Sequence, residues 1–325
     1  MAFALAAGLM WGLVFVGPLL LPEYPAALQS FGRYLAFGLI ALPLAWFDRH
    51  KLAQLSKADW IEALKLALVG NIVYYLFLAS AIQRAGGPLP TMVIGTLPVV
   101  IAITSKLRRA GAGARAEAPI AWSKLLPSLA LIGLGIALVN RVELAHLRAD
   151  PHADLTRYAV GGLLAVGAVV CWTWYPIRNA EWLRAHPDRS PRGWATAQGL
   201  MTLPLALVGY GLTWGWNIAR GDPFEMPFGP RAAEFILLMF AIGLFASWLG
   251  TLCWNEASQR LPPALAGQLI VFETLAALSY AFVLRKQWPQ MLTLIGVALL
   301  IMGVVWAVRT QPVEAGLLGD TPKLK

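Results

Sequence analysis

Charge is what this sequence has least of. Only 13% of its 325 residues are Asp, Glu, Lys or Arg, too few to cover a soluble fold of this length. Cysteine is nearly absent. Cys171 and Cys253 both lie in apolar runs, without CxxC or metal spacing, and read as small buried residues. The four histidines, His50, His146, His152 and His186, fall in polar segments, which argues against a histidine relay or metal site within a membrane. No phosphate loop, nucleophile elbow or zinc motif is present. No catalytic constellation and no cofactor are therefore expected, and the chain does not read as an enzyme. The net charge of +9 is spread through loops rather than clustered among exposed aromatics, so nucleic acid is not an expected partner.

Apolar sequence fills the gap. The chain is 58% apolar, with 14 Trp and 30 Gly, the composition of a helical membrane protein. A span needs about 20 mostly apolar residues. Ten stretches qualify: 2–21, 26–47, 60–83, 88–107, 124–141, 158–178, 193–216, 232–258, 262–284 and 289–308. The first lacks the basic lead of a secretory signal and reads as a span. The longest connections, 108–123, 142–157, 179–192 and 217–231, are too short for a folded domain. The tail 310–325 is polar and reads as a disordered cytoplasmic segment. Lys and Arg are about twice as frequent on the N-terminal side of the membrane as on the other, which puts both termini in the cytoplasm.

The chain also matches itself. At an offset of 161, Trp11 meets Trp172, Gly38-Leu39 meets Gly199-Leu200, and Leu42-Pro43-Leu44 meets Leu203-Pro204-Leu205. At 163, Leu131-Ile-Gly133 meets Leu294-Ile-Gly296. At 176, Ala81-Ile-Gln83-Arg84 meets Ala257-Ser-Gln259-Arg260. The matches keep their order. They divide the chain into copies at 1–141 and 158–309, joined by 142–157. Five spans is odd, so the second copy enters the membrane upside down. The expected fold is an all-α polytopic membrane protein, ten transmembrane helices in two inverted five-helix repeats, with a substrate site near the midplane.

Helical spacing puts Asn71, Tyr75, Leu78 and Ile82 on one face of the third span. The offset of 176 maps them onto Ser247, Thr251, Trp254 and Ser258 of the eighth. Such stripes either wall a cavity or satisfy one another between packed helices. Trp11, Trp172 and Tyr175 either line an aromatic cavity or belong with the interfacial tryptophans. Glu273 lies about eleven residues into the ninth span, where an ionised group is costly. It is a candidate to hold a substrate ammonium, carry a proton, pair with Arg33, or stay buried and neutral. Arg33 suits a substrate carboxylate or a packing role equally. Gly17-Pro18, Pro43, Pro98, Pro176 and Pro204 are candidate hinges.

Trp11-Gly-x-x-Phe15, Arg33 after Ser-Phe-Gly, and Thr96-Leu-Pro98-Val-Val, in ten spans of five plus five, resemble the drug/metabolite transporter superfamily, of the EamA-like ten-helix kind. Phe272-Glu273-Thr274-Leu275 following Gln268 is similar to the YddG-type aromatic amino-acid exporters. Where many members end the fourth and ninth helices with Gly-Glu, this chain has Lys106-Leu-Arg-Arg and Arg285-Lys-Gln. The resemblance implies alternating-access export of Phe, Tyr and Trp across a bacterial inner membrane, and adds Gln268 and Phe272 to the candidate substrate-binding set. The expected partners are that small-molecule substrate and the lipid bilayer, with a monomer as the expected state. Export of another metabolite or cationic drug is the alternative of the same class, and a channel or lipid scramblase that of another.

Inverted repeats have a direct consequence for topology. Arg84 should face outside and its partner Arg260 the cytoplasm. Single cysteines placed at the two turns should label asymmetrically with an impermeant maleimide in intact cells; equal labelling from outside would remove the inversion.

Overall fold

The computed structural model describes residues 2–111, 122–149, 154–260, 270–286 and 288–309. Among them there are helices and no strands. In order they are α1 (Ala2–Leu20), α2 (Ala26–Phe47), α3 (Lys57–Ala85), α4 (Pro88–Ile94), α5 (Leu97–Gly111), α6 (Trp122–Ala149), α7 (Leu155–Ala185), α8 (Pro191–Arg220), α9 (Ala232–Gln259), α10 (Val271–Arg285) and α11 (Met291–Arg309). A helical turn, Arg49–Leu52, follows α2. Five helices, α1, α2, α3, α7 and α9, are long and apolar enough to cross a bilayer; shorter apolar stretches lie in α4–α5, α6, α10 and α11.

Local chemistry sets the ends. Ser56 and Asp59 form a capping box at the start of α3. Asp154 caps α7 through the Arg157 N–H at 2.9 Å. Ser190 caps α8, with Pro191 in the first turn. These side chains satisfy amides that no helical carbonyl reaches. Gly86 at φ 74° and Gly221 at φ 62° end α3 and α8 in conformations that L side chains avoid.

Several spans differ from expectation. The fourth is broken at Gly95-Thr96 into α4 and α5. The fifth runs on to Ala149 and the sixth covers Leu155–Ala185, so most of the expected loops 142–157 and 179–192 is helical. Charge ended the apolar stretch in both places, but charged residues end a span without ending a helix. The first residues of the expected ninth span, 262–269, and the tail 310–325 lie outside the described residues.

Apolar side chains point outward as well as inward. Leu163, Leu237 and Val283 are each more than 70% exposed, as expected of a surface solvated by lipid rather than water. Burial of apolar area does not then hold the helices together, and close packing and polar contacts must. α2 packs along α8, α3 along α7, α6 along α11, and α1 against α9 and α10. The α6–α11 seam shows the mechanism. A Cβ added at Gly135 would lie 2.5 Å from the Gly296 carbonyl oxygen, and one at Gly296 2.8 Å from that of Gly135. Ser128 Oγ donates to the Gly303 carbonyl at 2.6 Å across the same seam.

Gly135→Ala should therefore lower stability by about 1–3 kcal/mol, the usual cost of overpacking. Gly133→Ala, where an added Cβ meets nothing within 4 Å, should leave it unchanged or raise it slightly. Thermal unfolding of the two variants in detergent checks the contrast.

Candidate functional site

Two helices carry a π-helical stretch at the cavity. Ala67–Val73 of α3 and Gly243–Leu249 of α9 are π-helical, a distortion frequent at functional sites. The two segments are 176 residues apart. Each brings two residues, Gly70-Asn71 and Ala246-Ser247, to one cavity. Gly70 lets the Tyr175 ring lie against α3, since an added Cβ would sit 2.1 Å from it. Gly250 does the same for the Trp11 indole at 2.8 Å.

The cavity is lined by aromatic and charged side chains. The Trp11 and Trp172 rings meet edge to face, centroids 5.0 Å apart. Tyr74 and Tyr175 pack on Trp172 at 5.3 and 4.7 Å. Opposite in character are Arg33, 4% exposed, and Glu273, 1% exposed. Arg33 Nε donates to Ser247 Oγ at 3.0 Å, and its guanidinium lies 4.8 and 4.5 Å from the Tyr34 and Tyr75 ring centres. The Trp172 indole and Arg33 bear on the Glu273 carboxylate, yet neither of its oxygens has a hydrogen-bonding partner within the protein. The free volume at the centre is about 20 Å³, enough for a water molecule and too little for an aromatic side chain.

Of the sequence candidates, Trp11, Asn71, Trp172, Tyr175, Ser247, Thr251 and Glu273 line this cavity. Tyr75, Leu78 and Trp254 do not. Tyr75 and Leu78 are fully buried behind the wall, Tyr75 donating to the Val14 carbonyl at 2.9 Å. The even helical period drawn through Asn71, Tyr75 and Leu78 assumed α geometry, and the π turn shifts the phase so that Tyr74 faces inward. Trp254 sits behind Trp11, ring centres 5.2 Å apart. Phe272 is 40% exposed: neighbours on a helix point about 100° apart, so Glu273 facing inward turns Phe272 outward. Gln268 lies outside the described residues. Arg33 is held by Ser247 and two rings, not by a salt bridge to Glu273. The lining also includes Arg33, weighed above for a carboxylate or a packing role, and Val14, Tyr34, Gly70, Tyr74 and Ala246, which were not singled out. A charge within an apolar span was the available signal for Arg33.

Polar contacts gather at both ends of the bundle, some within the second half of the chain and some joining it to the first. Where α2, α7 and α9 finish, Asn179 is the hub. Its Oδ1 accepts from Trp194 Nε1 at 2.8 Å and Gln198 Nε2 at 3.1 Å, and its Nδ2 donates to Asn255 Oδ1 at 2.8 Å. Gln198 Oε1 in turn accepts from the Tyr175 hydroxyl at 2.9 Å, so the plug reaches the cavity wall. Trp182 stacks on Trp194 at 3.5 Å and donates to Asp59 at 2.8 Å. Arg178 pairs with Glu62 at 2.8 Å and Arg192 with Asp48 at 3.0 Å. At the opposite end Tyr24 is the hub. Its hydroxyl donates to the Phe228 carbonyl at 2.9 Å and accepts from the Arg231 N–H at 2.8 Å, while its carbonyl accepts from Gln83 at 2.6 Å.

Bilayer-length apolar helices around a central cavity, with networks of polar contacts at both ends, are the architecture of a membrane transporter. A profile of the EamA-like transporter family matches residues 1–110. The sequence is 55% identical over 310 residues, 95% of each chain, to Inner membrane protein YtfF of Escherichia coli (strain K12), a name that gives a location and no solute. A chain of known crystal structure superposes with a TM-score of 0.62 over 95% of each chain at 18% identity, a likeness of fold alone. The chain belongs to the EamA-like transporter family, within the drug/metabolite transporter superfamily.

The Asn179 hub makes a quantitative expectation. Asn179→Ala strands Trp194, Gln198 and Asn255, at about 1–3 kcal/mol for each buried group left unpaired. Chemical unfolding of Asn179→Ala, Asn255→Ala and the double variant should give a coupling well above zero, because the second removal relieves what the first stranded.

Proposed function

We propose that this protein exports small organic solutes by alternating access, with the aromatic amino acids Phe, Tyr and Trp as the foremost solutes. The observation that carries the reading is the cavity wall. Trp11, Trp172, Tyr74 and Tyr175 present ring faces and edges to one space at mid-bundle, a surface suited to an aromatic side chain.

Two inverted five-helix repeats, 1–141 and 158–309, would supply the mechanism. Several features support them. The π segments recur at the offset of the repeated turns. The repeat partners Trp11 and Trp172 touch. The helix pairing is also what a twofold exchange requires: α2 with its counterpart α8, α6 with its counterpart α11, and α3–α7 answered by α1–α9. In such a scheme the Asn179 and Tyr24 hubs are alternate gates, with both termini in the cytoplasm. The 20 Å³ cavity fits a contracted conformation that widens when either gate parts. Closure at both ends favours a carrier over an open channel. A buried carboxylate keeps a cationic solute as the second reading.

Flux into liposomes of purified protein tests the class: a carrier gives saturable flux of labelled Phe that unlabelled Trp competes. Trp11→Ala and Trp172→Ala should each reduce flux of Trp and Phe roughly tenfold, the order expected for losing one ring contact and its buried area, and change flux of small apolar amino acids less. Unchanged selectivity in well-folded variants would make both residues packing elements.

A further inference from the structure

The cavity carries more polar capacity than the protein uses. Arg33 Nη1, the Tyr74 hydroxyl and both Glu273 oxygens are buried without a hydrogen-bonding partner in the protein. All three side chains line the one cavity. Orphaned polar groups buried at this depth cost stability, and a cation and an anion do so most. Three together in one space mark a place where something else completes the bonding.

We propose that Arg33 and Glu273 hold the two ends of one zwitterion, so that the transported solute is a free α-amino acid. Arg33 is fixed for the carboxylate. Ser247 takes its Nε, and the Tyr34 and Tyr75 rings position the guanidinium, leaving Nη1 for an acceptor. A guanidinium is the side chain best shaped for a carboxylate. Glu273 offers only acceptors when ionised, which suits an ammonium. Tyr74 stands beside them as a neutral donor or acceptor. The rings of Trp11 and Trp172 are then left to the side chain. A zwitterion has no net charge, so it compensates both residues at once and leaves the charge of the site unchanged. A simple cation would leave Arg33 unanswered, and a simple anion Glu273. This inference rests on the transporter reading of the same cavity and sets the polar half of its specificity, where the aromatic wall sets the other.

The test is binding to purified protein in detergent, read by calorimetry and thermal shift, for L-phenylalanine, phenethylamine, 3-phenylpropanoate, N-acetylphenylalanine and L-leucine. Wild-type protein should bind phenylalanine roughly ten- to a hundredfold more tightly than any of the three that lack one charge, the range for one charged hydrogen bond. Arg33→Gln should erase the advantage over phenethylamine and keep that over 3-phenylpropanoate. Glu273→Gln should do the reverse. Arg33→Lys and Glu273→Asp, which keep the charges, stand in where a neutral variant fails to fold, and should retain the preference for both charged ends. Phenethylamine or 3-phenylpropanoate binding as tightly as phenylalanine to wild type would overturn the zwitterion and leave the aromatic reading intact. Leucine binding as tightly as phenylalanine would do the opposite. Unchanged preference in Glu273→Gln, with loss only of a pH-dependent flux, would assign Glu273 to a proton and overturn the proposal, as would no binding of any amino acid.

Discussion

In hydrocarbon, a polar group has only the protein to bond with, and the whole arrangement of this chain follows from that. The helices satisfy their own backbones. Asn179 and Tyr24 each gather several side-chain hydrogen bonds, one near either end of the bundle. Among the buried polar atoms left without a partner, those of Arg33, Tyr74 and Glu273 share the one cavity. A protein selected only for stability would replace such residues with apolar ones of the same volume. Their retention in one enclosed space separates a conduit from a bundle.

The same constraint explains why the contacts that join the two halves are so unlike one another. At the bundle ends they are ion pairs such as Arg178–Glu62 and Arg192–Asp48, in which a buried carboxylate meets an arginine that reaches the surface. Along α6 and α11 they are backbone against backbone at Gly135 and Gly296, with no side chain able to slide between. The flank is joined by close backbone contact and the ends by charged side chains.

Much of this was legible in the sequence, and its failures have physical causes. Trp11 and Trp172 were singled out because they match at an offset of 161, and their rings meet at 5.0 Å. Asn71 and Ser247 were found the same way. Tyr74 was missed and Tyr75 chosen because a π turn leaves no mark in the pattern of apolar residues. Phe272 was chosen by resemblance to a motif, while the direction of its neighbour Glu273 decided against it. The hub around Asn179 was read as loop, since Arg178 and the charges after it end the apolar run, though the helix continues to Ala185. Hydropathy marks where lipid ends, and the Asn179 contacts stand just beyond that line.

The two π segments carry one more implication. Each stretch holds more residues per turn than an α-helix would, like slack wound on a spool. Winding one residue back into α geometry would leave every backbone bond satisfied while rotating the far half of the helix by about 100° and sliding it by about 1.5 Å. Gly70-Asn71 and Ala246-Ser247 sit within the slack itself. Helices α3 and α9 thus contain a built-in swivel at the depth of the cavity, able to exchange the residues facing it without unfolding anything.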